Sequence, residues 1–379
     1  MRIYWVCFLS ILFLISSCNS YEALPVVKSA VTYSSLESTP TESIELTSEL
    51  ASEIVLLDFA LSPDGKRLAI YLNTGVYLYD IETSDYITLS KFESDKYYSR
   101  LNAGGHYYPP LGAPGAVAFS PDGKEIATSG KFQDEYITIW DWENKTILKY
   151  IANYPNGDFV RELEYDPDGI TILIRSTYPL SRLHCEVGSE DSLTLISLDS
   201  RSELFQKDGC NQYSSINFYF AGLNTLYLFH YGASVMYLVY EIDTEAGDIL
   251  KFNELDSRSV GLIYAVSQSG KTFAARDPSN LSDGLFRTIL TDATTKKELL
   301  SLSGNVTFLE GENRFLVLAS DGQVRLQENN SILCQFDGLE YLHSIISRDK
   351  STLAAFTRDQ SVQIWDIPGC KMLNTVPIN

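Results

Sequence analysis

Few residues in this 379-residue chain have reactive chemistry to offer. It holds four histidines, His106, His184, His230 and His343, and six cysteines. Imidazoles serve as metal ligands or proton carriers when they converge. Here none stands at His-x-His or HExxH spacing, so the sequence predicts no metal. There is no GxSxG nucleophile turn and no phosphate-binding glycine loop, and no cofactor is expected. Asp-Pro-Asp-Gly at 166–169 starts like a calcium loop but lacks the alternating ligands and the distal Glu, so it reads as a turn.

What remains is a set of aromatic and basic side chains in two irregular stretches. SDKYYSRLNAGGHYYPPLGAPG at 94–115 supplies Tyr97, Tyr98, Arg100, His106, Tyr107 and Tyr108. STYPLSRLHCEVGSEDS at 176–192 supplies Tyr178, Arg182 and His184. Amphipathic side chains among Gly and Pro suit a partner-binding surface. His230 and Tyr231, and the segment from Asp277 to Asp283, join the same group.

The elements that must position these residues are short strands in a repeat. VAFSPDGKEIATSGKFQDEYITIWDW, Val117 to Trp142, reads as strand, Pro-Asp-Gly turn, strand, loop, strand. The unit recurs seven times. Its a–b turns begin at 62, 120, 166, 219, 267, 309 and 347, a spacing of about 47 residues that suits a four-stranded blade. A fourth strand is expected at Tyr86–Phe92, Ile147–Ala152, Glu203–Lys207, Ile249–Asn253, Glu298–Leu302, Ile332–Phe336 and Met372–Val376. The prediction is all-β: a monomeric seven-bladed β-propeller of four-stranded antiparallel blades over residues 44–379. Either residues 371–377 or Ile44–Thr47 supplies the outermost strand of the last blade, since an open array would leave an unpaired edge.

Antiparallel strands put the a–b and c–d turns on one face and the b–c and d–a connections on the other. Both insertions, and all four histidines, then map to that second face. Cys185 and Cys210 also lie there and form the favoured disulfide, which would contribute about 3 kcal/mol in the chain-entropy picture. Cys334, in an outer strand, and Cys370, in a c–d turn, are read as isolated thiols in preference to a pair.

A hydrophobic fraction of 45% with 21% charged residues marks a folded chain. The net charge of −20 argues against nucleic acid and anionic lipid headgroups as partners. Residues 1–17 hold one Arg and an apolar run from Ile3 to Ile15, which as a helix spans about 20 Å, short of the roughly 30 Å of a bilayer core. A secretory signal peptide fits better than a membrane span. Residues 18–43, rich in Ser, Thr, Glu and Pro, read as a flexible tether.

Two resemblances follow. Ile15-Ser16-Ser17-Cys18 resembles the bacterial lipoprotein box, which implies lipidation at Cys18 and more than one acyl chain, enough for stable anchoring. The Ser-Pro-Asp-Gly turns at 62–65 and 120–123, with Trp140-Asp141 and Trp365-Asp366, resemble the WD-repeat propellers. That resemblance implies structural Trp-Asp pairs and a buried His–Asp–Trp network, with Gly105-His106, Asp134 and Asp359 as its remaining pieces. The expectation is an exported protein, lipid-anchored to the cell membrane with its propeller extracytoplasmic, serving as a non-catalytic scaffold for an unidentified protein or peptide. The alternative is a propeller enzyme or small-ligand binder using the central channel near His106, His184, His230 or Asp277.

Overall fold

In the computed structural model the described residues are 54–91, 115–129, 137–151, 159–178, 190–209, 215–221, 224–231, 236–256, 262–267, 269–277, 287–309, 311–319, 323–339 and 341–378. They form seven four-stranded antiparallel sheets, each built from strands consecutive in sequence. Blade 1 comprises β1 (Leu56–Leu61), β2 (Arg67–Leu72), β3 (Gly75–Asp80) and β4 (Tyr86–Lys91). Blade 2 comprises β5 (Val117–Phe119), β6 (Glu125–Ser129), β7 (Ile137–Asp141) and β8 (Thr146–Ile151). Blade 3 comprises β9 (Phe159–Tyr165), β10 (Thr171–Tyr178), β11 (Glu190–Ser197) and β12 (Glu203–Gly209). Blade 4 comprises β13 (Ser215–Ala221), β14 (Thr225–Tyr231), β15 (Met236–Asp243) and β16 (Ile249–Asp256). Blade 5 comprises β17 (Leu262–Val266), β18 (Thr272–Arg276), β19 (Arg287–Asp292) and β20 (Glu298–Ser303). Blade 6 comprises β21 (Asn305–Phe308), β22 (Arg314–Leu318), β23 (Val324–Glu328) and β24 (Ser331–Phe336). Blade 7 comprises β25 (Tyr341–Ile346), β26 (Thr352–Thr357), β27 (Ser361–Asp366) and β28 (Lys371–Pro377). All seven expected outer strands are present. One turn is displaced: Tyr219 lies inside β13, paired with Tyr227, and the a–b connection of blade 4 comes only after Ala221, before β14 begins at Thr225. That segment has none of the Pro-Asp-Gly chemistry that marks the turns of blades 1 to 3, so its position was not readable locally.

The turns repeat because their side chains close them. Ser62 Oγ donates to Asp64 Oδ1 (2.7 Å) and accepts the Arg67 N–H (2.9 Å), while Asp64 Oδ1 accepts the Lys66 N–H (3.2 Å). Ser120 with Asp122, and Ser347 with Asp349, make the same set. Gly65 and Gly123 take the left-handed φ (+66° and +73°) that this turn requires. The Asp that ends the third strand in five of the seven blades performs a parallel task. Asp141 accepts the Asn144 N–H at 3.0 Å, and Asp366 the Gly369 N–H at 2.8 Å, so the Asp of Trp-Asp caps the c–d turn.

Among the described residues, seven apolar clusters lie one between each pair of neighbouring blades, so every blade shares its core with two others. The seventh joins the chain's two ends, with Phe59, Leu68 and Ile70 of blade 1 packed on Phe356, Ile364 and Val376 of blade 7. The outermost strand of blade 7 is β28, from the C-terminal segment, and its Asn374 Nδ2 donates to Tyr79 Oη (2.7 Å) and Ser84 Oγ (3.0 Å) of blade 1. Ile44–Thr47 lie outside the described residues. Cys334 of β24 and Cys370 of the c–d turn in blade 7 are disulfide-bonded, with Cα atoms 6.1 Å apart. This corrects the expectation of isolated thiols. Both sulfurs belong to the cluster between blades 6 and 7, and only the packing of one blade on the next brings them together.

The a–b and c–d connections are all five residues or fewer. The three longest connections, 92–116, 179–189 and 277–286, all join strands on the opposite face, as the sequence implied.

Candidate functional site

The inner strands β1, β5, β9, β13, β17, β21 and β25 surround a central cavity of about 930 Å³. Each inner strand is a sheet edge, so its outward N–H and C=O groups need partners from across the blade boundary. Asp58 supplies one: its Oδ2 accepts the Val117 N–H of β5 at 2.8 Å. Tyr264 of β17 supplies others, its carbonyl accepting from the Tyr219 hydroxyl of blade 4 and its own hydroxyl accepting the Val306 N–H of blade 6 at 2.8 Å.

Bulges aim these side chains. In β1 the pairing steps from Leu56↔Leu72 to Asp58↔Tyr71, leaving Leu57 as the extra residue. Leu57 and Asp58 therefore both turn towards blade 2, where Leu57 packs in the core and Asp58 meets Val117. In β9 the extra residue is Arg161, and beyond it Glu162 pairs across the sheet with Arg175, their charged groups 3.6 Å apart.

The cavity lining mixes apolar side chains with charged ones. It includes the carboxylates Asp58, Glu162 and Glu164, the cations Arg161, Arg175, Arg348 and Lys350, and His343. Burial pushes the Asp58 carboxyl up to about 8, against the opposing pull of the Val117 N–H. The Glu164 side chain is exposed to the cavity but ringed by protein. That enclosure, with Glu162 nearby, pushes its carboxyl up to about 8 although Lys350 and Arg348 pull the other way. Burial likewise holds the His343 imidazole below its ordinary value, and its ring stands edge-on to Phe59 with centroids 5.4 Å apart. At the a–b end, Arg348 reaches across the ring, its Nη2 donating to the Pro167 carbonyl of blade 3 at 2.7 Å.

Most of the site residues expected from sequence fall elsewhere. Cys18, Tyr97, Tyr98, Arg100, His106, Tyr107, Tyr108, Arg182, His184, Cys185 and Cys210 lie outside the described residues, as does Asp134. Tyr178 and Tyr231 end the second strands of blades 3 and 4, beside the b–c connections, and His230 precedes Tyr231. Asp277 is buried and ion-paired with Arg287 of its own blade at 3.6 Å. Of the four residues proposed to converge in the channel it is the one with a described side chain. His343 does line the cavity. Trp140 and Trp365 act as scaffold, donating to Thr128 Oγ1 (2.9 Å) and Gln363 Oε1 (3.3 Å). Asp359 accepts from Thr357 and Ser361 in its own loop. The channel charges were missed. Their signal was present in β9, whose Val-Arg-Glu-Leu-Glu-Tyr places three charges in an element that is apolar in blade 2.

Among the described residues no group of three or more His, Cys, Asp or Glu could hold a metal ion.

Closed ring, four-stranded blades and Trp-Asp-capped turns together define the fold class: a seven-bladed β-propeller with WD-repeat-like blades. The WD domain, G-beta repeat family matches residues 107–141, which run from the Tyr-rich insertion to the Asp of the first Trp-Asp pair. No curated protein matches the chain. Propellers of this class are commonly protein-interaction scaffolds.

Proposed function

We propose that this protein is a bacterial lipoprotein whose propeller is a non-catalytic scaffold for a protein or peptide outside the cytoplasm. Cys18 carries the lipid, residues 1–17 direct export, and residues 18–43 tether the folded body to the membrane. The observation that carries the scaffold reading is the distribution of chain length: the short turns occupy one face, while the 92–116 and 179–189 connections both leave strands on the other. Metabolic labelling with a fatty-acid probe tests the anchor; Cys18→Ser should abolish the label, and retained label would overturn lipidation. Affinity capture from membranes, comparing the intact protein with one lacking residues 94–115, tests the insertion face. The deletion should lose specific partners, and an identical partner set would overturn that assignment.

The small-ligand reading is favoured by one observation, the open and charged cavity of about 930 Å³, a volume within the range of ligand pockets.

A further inference from the structure

Blades 1 and 2 build their a–b turns as Ser-Pro-Asp-Gly, at 62–65 and 120–123, and blade 3 as Asp-Pro-Asp-Gly. Blade 7 keeps the frame of Ser347 and Asp349 with the same hydrogen bonds, but reads Ser-Arg-Asp-Lys. The proline is replaced by Arg348 and the glycine by Lys350, which adopts the same left-handed backbone (φ +61°). That conformation is not in itself diagnostic, because Lys145 and Lys296 adopt it in c–d turns. The distinguishing fact is location: both changes introduce cations, and both side chains line the central cavity. They do so in a chain of net charge −20, where cations are the scarcer kind.

These cations are not consumed by the fold. Arg348 uses Nη2 on the Pro167 carbonyl, one of the five N–H donors of a guanidinium. The Lys350 ammonium makes no hydrogen bond or ion pair among the described residues, although the residue is half-buried; its backbone N–H closes the turn on the Ser347 carbonyl. The carboxylate that both of them act on is Glu164. We propose that this end of the channel binds a small oxyanion, a carboxylate or phosphate group, between Arg348 and Lys350. A guanidinium fork beside an ammonium point charge matches oxyanion geometry. Burial and Glu162 favour the neutral form of Glu164, and the charged Asp349 carboxylate, which also acts on Lys350, is taken up by Ser347 and Ser351, so an anion has little to displace. The acidic exterior repels polyanionic macromolecules, which restricts the ligand to one small enough to enter the channel. The inference rests on the small-ligand reading above.

Calorimetric titration with inorganic phosphate and with citrate, each against chloride at matched ionic strength, provides the test. The informative variant is Arg348→Pro with Lys350→Gly, which gives blade 7 the turn sequence of residues 62–65 and so preserves the fold; unchanged circular dichroism and thermal unfolding check that it does. Wild type should bind one of the two anions with unit stoichiometry, and the double variant should weaken that binding at least about tenfold. Phosphate preference and citrate preference distinguish the two sources of the oxyanion. If wild type binds neither anion above the chloride control, the small-ligand reading itself fails for these anions and the inference with it. If wild type binds and the double variant binds equally well, a ligand site exists but not between Arg348 and Lys350, and the inference alone is overturned.

Discussion

Asp58 combines two opposing demands on one carboxyl. It accepts the edge N–H of Val117, which stabilises the charged form, yet its burial favours the neutral form and dominates, taking the carboxyl from the ordinary 3.8 to about 8. The folded chain therefore holds a proton between about pH 4 and 8 that the unfolded chain has released, so the contribution of Asp58 to stability falls as pH rises through that window. Glu164 acts in the same direction. Asp58→Asn keeps an acceptor for Val117 and removes the titration. In chemical unfolding, the stability of Asp58→Asn relative to wild type should rise by at least about 1.4 kcal/mol between pH 5 and pH 9. An equal effect at both pH values would show that Asp58 does not titrate in this way. The exposed turn aspartates have the opposite sign. Backbone N–H groups hold Asp141 and Asp292 below the usual carboxylate range, so their contribution is present at neutral pH and lost in acid.

At the scale of elements, the a–b turn serves as a contact between blades as well as a reversal of the chain. A Cβ at Gly65 would lie 2.7 Å from Thr352 Cβ of blade 7, whereas at Gly123 the nearest atom is Pro63 Cδ at 3.4 Å. Both positions have left-handed backbone, which costs an alanine about 1–2 kcal/mol. Gly123→Ala should cost about that much, and Gly65→Ala should cost measurably more because Thr352 must also move. Equal losses in urea unfolding would contradict the contact between blades 1 and 7. The turns of blades 1 to 3 were readable from sequence because their Pro-Asp-Gly chemistry and their capping partners, Ser with Asp two residues on in blades 1 and 2 and Asp166 in blade 3, are local. The bulges at Leu57 and Arg161 were not, because a bulge is a property of two strands in register and leaves no mark on either alone.

Over the whole molecule the ring closes by packing its last blade against its first. The outermost strand β28 is held by Asn374 on Tyr79 and Ser84, while Cys334–Cys370 ties its preceding turn to blade 6. Replacing both cysteines by serine should lower unfolding free energy by about 2–4 kcal/mol, and reductant should lower the wild-type melting temperature without affecting the double variant. A wild type insensitive to reductant would mean that the bond does not form in solution. Deleting residues 371–379 should be far more damaging, because it removes Val376 from the core between blades 7 and 1 and exposes the edge of β27.

Blade number, strand order and the two faces were legible because they depend on interactions within a few residues: period-two alternation, Pro-Asp-Gly turns and an Asp that caps the turn after it. Outer strands were found to within three residues for the same reason. The channel was decided by tertiary structure. Asp58, Glu164 and Arg348 are scattered over three blades, and Arg348 meets a carbonyl 181 residues away. Closing the ring brings such residues to one axis, and the low-dielectric wall around that axis sets the protonation of Asp58 and Glu164. The disulfide has the same origin, since the nearness of Cys334 and Cys370 is a consequence of one blade lying against the next.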